Sequence, residues 1–409
     1  MKYLDRMSFF ISLKAISDFS KHHNNLINQL KNVIHVAGTN GKGSTVAFLR
    51  AILEAKGYSV NVFTSPHLVK YNERIRIKGK LISNSYSNKL NNIIEQDSYG
   101  RRLSVFEKYM AKALIAFTEN SADFTILEVG LGGRLDATNV IKKPLISIIT
   151  SVDFDHEHLL GNTETEIAKE KAGIIKKKGL VISAYQSLEV TKVLQQKTKK
   201  QQANLIHGGL DWYITNTNAL NKVNSASNLA NTANNVSIEN NKISSRNNSY
   251  WLFFNGFSME LPVVALKGNH QIYNASLAIV ALKASLKNKI TKAAIKKGLQ
   301  NVSWPGRMQV IKSNTLYGNS FNNKTTIILD GAHNPIGAKV LLDFIKLHNS
   351  KKNIYIIMAM LKTKNITQYL KEFKEVSSLK LYGVTLSKEF NAYKAKEICQ
   401  TATKLGIDA

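Results

Sequence analysis

The chain has a single cysteine, Cys399, among 409 residues, which excludes an internal disulfide and suits a reducing compartment. No stretch approaches the ~20 consecutive apolar residues that a membrane-spanning helix needs. The opening stretch, MKYLDRMSFFISLKAIS, lacks a small-residue cleavage site and carries Asp5 and Lys14, so it reads as a helix of the mature protein rather than a signal peptide. Acidic residues are scarce, 28 against 56 Lys and Arg, and the net charge is +28. Such an excess would suit nucleic acid or attract an anionic substrate. The lysines, however, form no stripe with interleaved aromatics, and Lys and Asn abound even in segments without pattern. Compositional drift is the favoured reading, with substrate steering as a by-product. The expectation is a cytoplasmic monomer with no nucleic-acid partner and no membrane. A hydrophobic fraction of 44% supplies real cores, and the length suits two domains.

What is present is organised around Val33 to Arg50, VIHVAGTNGKGSTVAFLR. Val33 to Val36 reads as a short buried strand, and from Thr45 to Lys56 the apolar residues Val46, Leu49, Ile52 and Leu53 recur at helix spacing. Between them lies the glycine-rich turn Gly38 to Ser44. Strand, glycine-rich turn and helix make a phosphate loop, because glycines let backbone N–H groups converge on phosphate oxygens and the helix N-terminus adds positive potential. Asn40, Gly41, Lys42, Gly43 and Ser44 are the expected nucleotide contacts, with Lys42 on the terminal phosphates and the Ser44 hydroxyl toward Mg²⁺ or phosphate. The spacing departs from G-x-x-x-x-G-K-[ST], since Gly43 separates the lysine from the hydroxyl. The bland alternative is a glycine-rich turn with a solvated lysine.

Strands and helices alternate after this loop, which predicts a doubly wound, mostly parallel sheet. Ser59 to Phe63 alternates like a strand and ends in Thr64-Ser65-Pro66-His67-Leu68, placing a hydroxyl and an imidazole at the strand edge where ligands of open α/β sheets bind. A helix is expected over Phe106 to Glu119. Asp123 to Glu128 reads as a buried strand that ends in a carboxylate, the place for a Mg²⁺ anchor, and runs into Gly130-Leu131-Gly132-Gly133-Arg134-Leu135-Asp136-Ala137-Thr138-Asn139. Either feature alone could be a surface acid or a mobile turn. After the strand Leu145 to Thr150, Asp153, Asp155, His156, Glu157 and His158 suggest a metal neighbourhood, although a helix cap or a surface histidine would look the same. Residues 213–250 are rich in Asn, Ser and Ala and read as an insertion without chemistry. A second, smaller α/β unit begins near residue 295, giving domains 1–295 and 296–409.

Taken together, the segments HVAGTNGKGS (35–44), SPHLVKYNERIRI (65–77), LEVGLGGRLDATN (127–139), Asp155-His156, Leu160-Gly161, AKEKAGI (168–174), GNHQIYNASLA (268–278), PGRMQ (305–309) and LDGAHNP (329–335) resemble the folylpolyglutamate synthases and bifunctional dihydrofolate synthases of the Mur-ligase superfamily. The resemblance implies a phosphate-loop domain followed by a Rossmann-like domain, and an ATP-dependent amide ligase. In that reaction a folate or dihydropteroate carboxylate takes the γ-phosphoryl of ATP, and L-glutamate attacks the acyl phosphate. The implied cofactors are ATP and Mg²⁺ in two positions, with a monovalent cation as a further candidate. By the same resemblance Ser65, Glu128 and His156 hold Mg²⁺. Asn274, Arg307 and Asp330 join the nucleotide, which implies ATP in the cleft between domains. Phe106, Glu107, Leu135, Asp136 and Ala137 line the pteroate side. Lys42, Lys171 and His333 sit at the reacting centre, Lys171 as a carbamate. Three features depart from the family: Thr363-Lys364-Asn365 replaces an Asp-Lys-Asp run, Met110 replaces a common threonine, and the chain stops at Ala409 before a final strand. A cell-wall ligase shares the loop but not the SPHL and LEVGLGGRLDATN segments. The alternative from a different class is a degenerate ATP-binding protein with little or no ligase activity.

Overall fold

Strand β1 (Val33–Ala37) is buried along its whole length, as a strand covered by helices on both faces must be. The structure is a computed structural model that describes residues 13–216, 249–311, 326–348, 353–376 and 378–409. The first part of the expected N-terminal helix and nearly all of the Asn-rich insertion lie outside the described residues. Around β1 are β2 (Val60–Phe63), β3 (Ile75–Ile77), β4 (Lys80–Leu81), β5 (Phe124–Glu128), β6 (Ile146–Ile149), β7 (Leu180–Ser183) and β8 (Asn204–His207). Among the described residues they form an eight-stranded sheet in the order β4-β3-β2-β5-β1-β6-β7-β8. The run from β2 through β8 is parallel, and β3 and β4 add an antiparallel edge. This is the mostly parallel sheet that the alternation of strand and helix predicts.

The helices α1 (Lys14–His22), α2 (Leu26–Gln29), α3 (Lys42–Ala55), α4 (Asn84–Gln96), α5 (Val105–Glu119), α6 (Glu157–Leu160), α7 (Glu164–Lys171) and α8 (Leu188–Gln201) occur in this part of the chain. Helix α5 begins where Ser104 and Glu107 form a reciprocal capping box. Its buried residues Met110, Ala113, Leu114 and Phe117 join Ile16, Phe19, Leu90, Ile94 and Phe63 in one core. Strands β9 (Trp212–Asn216), β10 (Tyr250–Phe254) and β11 (Phe257–Leu261) make a separate antiparallel sheet, joined across the undescribed insertion. Helices α9 (His270–Leu286) and α10 (Lys292–Asn301) follow.

The chain separates into two compact units. The second takes Phe154–Gly161, Leu266–His270 and Pro305–Ala409, and the rest belongs to the first. The last crossing between the units falls after Trp304, close to the boundary expected near residue 295. The reason is α10, which packs on α3 so closely that a Cβ on Gly298 would come 2.7 Å from Ile52 Cα. In the second unit β12 (Gln309–Ile311) pairs antiparallel with β13 (Ile327–Leu329), and β14 (Ile354–Met358) pairs parallel with β15 (Leu379–Gly383). Helices α11 (Pro335–His348), α12 (Ile366–Lys371) and α13 (Ala395–Lys404) bury Ala338, Leu342, Leu370, Ile398 and Ala402 with Leu379 and Leu381 in its core.

Candidate active site

The loop after β1 owes its path to close backbone approaches. Gly38 has φ +149°, and a Cβ there would meet Thr150 Oγ1 at 1.8 Å, so only glycine lets the loop lie against the end of β6. Thr39 N donates to Ser151 O at 2.8 Å and Thr39 Oγ1 to Asp153 O at 2.9 Å. Gly41 caps α3 with φ +84°, and a Cβ on it would lie 2.5 Å from Asn274 Oδ1. Asn274, expected at the nucleotide, thus stands against the phosphate loop, held by its Nδ2 donating to Gln271 Oε1 at 3.2 Å. Helix α3 starts at Lys42, earlier than the apolar pattern predicts, which places Gly43 and the buried Ser44 in its first turn. Their N–H groups belong to the unbonded donors of a helix start, and the helix dipole favours an anion there.

Two lysine amines converge on this loop. Lys42 Nζ donates to Gly38 O at 3.0 Å and to Thr39 O at 3.1 Å. Lys171, only 3% exposed at the end of α7, donates its Nζ to the same Gly38 O at 3.0 Å. Helix α7 is clamped in register with the LEVGLGGRLDATN loop. Arg134 N donates to Glu170 O at 2.8 Å, Arg134 Nε pairs with Glu170 Oε1 at 2.9 Å, and Asn139 Nδ2 donates to Gly173 O at 3.2 Å. A Cβ on Gly173 would strike Arg134 Cα at 2.4 Å.

Glu128 ends β5 opposite Val36 of β1 and is 3% exposed. Ser65, at the end of neighbouring β2, donates its backbone N–H to Glu128 Oε2 at 3.3 Å, while its buried Oγ has no hydrogen-bond partner. An orphaned hydroxyl beside a buried carboxylate is an oxygen donor set that suits Mg²⁺. The structure brings these two expected ligands together and places the third, His156, in the second unit. There His156 takes a left-handed backbone, φ 52°, at the start of α6, and its Nε2 lies 3.2 Å from Lys364 Nζ.

The residues expected on the pteroate side divide. The Phe106 ring covers Gly130, where a Cβ would lie 2.4 Å from Phe106 Cζ, and meets Phe63 edge-on at 5.8 Å. Leu135 is half-buried, and Ala137 is buried in a 3-10 turn. The two acids instead hold backbone. Glu107 Oε2 accepts from Ser104 N at 2.9 Å. Asp136 is buried, with Oδ2 accepting from Gly130 N and Leu131 N at 3.0 Å each, and Oδ1 from Thr138 N at 3.0 Å and Thr138 Oγ1 at 2.6 Å. Burial pushes its carboxyl pKa up, against these hydrogen bonds. Thr138 also meets His35 Nε2 at 2.8 Å, and burial, aided by the charge of Lys176, pushes that imidazole down to about 3.

In the second unit Asp155 gathers the polar groups. Its Oδ1 accepts from Lys364 Nζ at 2.5 Å and from His156 N at 2.9 Å, and its Oδ2 lies 3.4 Å from His333 Nε2. Burial alone would raise this carboxyl, but the His333 hydrogen bond and the charges of His156 and Lys364 outweigh it and hold the pKa well below the carboxylate range. Asp330 binds backbone with both oxygens, from Met308 N and Ala332 N at 2.8 Å each, while Arg307 lies against Gly331. Burial lowers His270 to about 4, with Asp330 opposing and Arg307 reinforcing the shift.

The Mur ligase middle domain matches residues 36–282, and the dihydrofolate synthetase C-terminal domain matches residues 313–387. The dihydrofolate synthase/folylpolyglutamate synthase of Bacillus subtilis is 33% identical over 356 residues, covering 84% of this chain and 74% of that protein. The chain belongs to the folylpolyglutamate and dihydrofolate synthases of the Mur-ligase family. Escherichia coli FolC in complex with DHPP and ADP matches this family member with a TM-score of 0.77 and 28% identity, over 97% of this chain and 84% of that one. A bifunctional folylpolyglutamate synthase/dihydrofolate synthase with Mn, AMPPNP and L-glutamate bound gives 0.77 and 27%, over 98% and 86%. Within this ligase fold Asp155, which the sequence placed in a metal neighbourhood, is the centre of a cluster with His156, His333 and Lys364. Its signal was the acid–imidazole pair Asp155-His156, and what escaped it was the lysine 209 positions away that completes the pair.

Proposed function

We propose that this chain is an ATP-dependent carboxylate–amine ligase that joins L-glutamate to a folate or dihydropteroate carboxylate, acting as a cytoplasmic monomer. The observation that carries the reading is the convergence of the Lys42 and Lys171 amines on Gly38 O at a helix start, with Glu128 and Ser65 on the adjoining strand ends. Phosphoryl transfer needs positioning and electrostatic stabilisation more than covalent help.

An oxygen of the acceptor carboxylate attacks the γ-phosphorus, the bond to the β–γ bridging oxygen breaks, and ADP leaves with that oxygen. Lys42 and the N–H groups of Gly41, Gly43 and Ser44 hold the phosphates through this step, and Asn40 and Asn274 stand at the same loop. Lys171 reaches the carbonyl that Lys42 also contacts, and as a carbamate it would serve as an extra carboxylate for a second Mg²⁺. Ser65 and Glu128 would hold Mg²⁺, which would supply charge neutralisation of the phosphates. By the family resemblance Arg307 and Asp330 join the nucleotide, His156 joins the metal ligands and His333 the reacting centre. The glutamate amine then attacks the acyl carbon, and inorganic phosphate departs with the former carboxylate oxygen. Phe106, Leu135 and Ala137 offer the apolar wall for the acceptor ring, with Glu107 and Asp136 holding that wall in shape.

The test is a mass-spectrometric product assay with ATP and glutamate, offering dihydropteroate and tetrahydrofolate in one mixture. One or both acceptors should gain one glutamate residue. Formation of neither product, with the protein folded and Mg²⁺ present, overturns the reading.

A further inference from the structure

Far from the phosphate loop in sequence, two adjacent imidazoles and a carboxylate meet at the corner where α1 and α4 end. His22 closes α1 and His23 caps it, its N–H bonding to Phe19 O at 3.1 Å, while Asp97 caps α4, its N–H bonding to Ile93 O at 3.1 Å. His22 Nε2 lies 3.2 Å and His23 Nε2 3.4 Å from one and the same oxygen, Asp97 Oδ2. The three donor atoms all lie within 4.8 Å of one another. With metal–nitrogen and metal–oxygen bonds of about 2.0–2.2 Å, the edges of a tetrahedron of ligands around zinc are about 3.3–3.5 Å long. The 3.4 Å edge from His23 falls in that range and the 3.2 Å edge from His22 lies just below it.

The groups around the trio hold it in place. Asp97 Oδ1 accepts from Tyr99 N at 2.9 Å and Gly100 N at 2.7 Å, which turns Oδ2 toward the histidines. The His22 ring stacks on Tyr99 at 4.6 Å, the His23 ring leans on Phe19 at 4.4 Å, and the two imidazoles stand nearly perpendicular, at 89°. Asp97 is 11% exposed and His22 47% exposed, so the three donors share a rigid inner edge and face solvent on one side. Ion pairing alone gives a weaker account of this arrangement. It leaves the two Nε2 atoms sharing a single oxygen. A divalent cation replaces both ring protons with one charge centre.

We propose that His22, His23 and Asp97 form a binding site for a divalent transition metal of the zinc class, with a water in the fourth position, distinct from the Mg²⁺ site of the ligase. Two imidazoles and one carboxylate select such ions over Mg²⁺, whose ligands are oxygens. The bound ion ties the end of α1 to the end of α4. Because α1 also packs on α5 and on the turn Ala137–Val140, occupancy stabilises the first unit by mass action.

The test uses the full chain without a histidine tag, stripped with a chelator and kept in saturating Mg²⁺ so that oxygen sites are filled. Titration with Co²⁺ should give one equivalent with intense visible absorption, which Zn²⁺ abolishes and excess Mg²⁺ does not. Zn²⁺ should raise the melting temperature. The H22A/H23A double variant should lose that equivalent and the thermal shift. In D97N the amide oxygen can still accept from Tyr99 and Gly100, so D97N should keep the metal-free melting temperature and bind at least tenfold more weakly. Absence of saturable Co²⁺ binding in the parent protein, or an unchanged spectrum and thermal shift in the double variant with D97N binding like the parent, overturns the proposal.

Discussion

Replacing Asp155 by Asn should destabilise the second unit far more than the loss of a surface ion pair. The side chains of Asp155 and Lys364 are 11% and 10% exposed and meet at 2.5 Å, so the 0–1 kcal/mol of an exposed pair does not apply. Breaking a buried pair strands the remaining charge and costs about 3–5 kcal/mol. Asn keeps an acceptor for His156 N, so about 3 kcal/mol is the expected loss. For a domain near 100 residues, that lowers the melting temperature by on the order of 10–20 °C. Adding K364M should restore most of the loss, because the stranded ammonium is then gone. The pH dependence has a definite sign. The carboxyl is held well below its usual range in the folded state, so its contribution is complete above the unfolded value of about 4 and is lost as pH falls through the folded one. Thermal and urea melts of parent, D155N and the double variant from pH 7 to pH 3 check this. A D155N loss under ~0.5 kcal/mol, within the range of exposed pairs, refutes the reasoning.

K42A should leave the melting temperature within a few degrees of the parent and slow turnover by about 10²–10³, the loss of one preorganised electrostatic contact, read from steady-state kcat. His35 and His270 are held neutral, at about 3 and about 4. The unfolded chain therefore binds protons first, and stability should fall as pH drops below about 6.5, by about 1.4 kcal/mol per pH unit for each histidine, a slope that urea titrations between pH 7 and pH 5 resolve. Carbamylation of Lys171 keeps one N–H for Gly38 O and adds an anion, so bicarbonate-depleted enzyme should lose activity and regain it on resupply, and K171A should respond to small carboxylic acids. Unchanged turnover after depletion, with unmodified Lys171 mass, removes that role.

The first unit was legible because its signals are local. The burial of β1, the glycines of the loop and the strand-end acid Glu128 each follow from a short stretch of sequence, and the parallel sheet follows from their alternation. The start of α3 at Lys42 was not legible, since Gly43 breaks the apolar rhythm although its backbone suits a helical turn. Nor was the membership of residues 296–304, which depends on Gly298 fitting against Ile52, a contact between helices almost 250 residues apart. The roles of Glu107 and Asp136 were hidden for a different reason. A carboxylate that caps a helix or braces a loop has the same letter as one that meets a ligand, and only the hydrogen bonds to Ser104, Gly130, Leu131 and Thr138 tell them apart. Asp155 and Lys364 carry the same lesson in reverse, since the sequence marks each by itself and only the fold brings them together.

The central claim is that the acceptor carboxylate is activated as an acyl phosphate before glutamate attacks it. Acceptor labelled with ¹⁸O in the reacting carboxylate, incubated with ATP, Mg²⁺, glutamate and the full chain, tests it directly. One labelled oxygen should appear in each inorganic phosphate released, with ADP and glutamylated product formed in equal amounts. Unlabelled phosphate alongside product, or ADP release indifferent to acceptor and glutamate, would contradict the account.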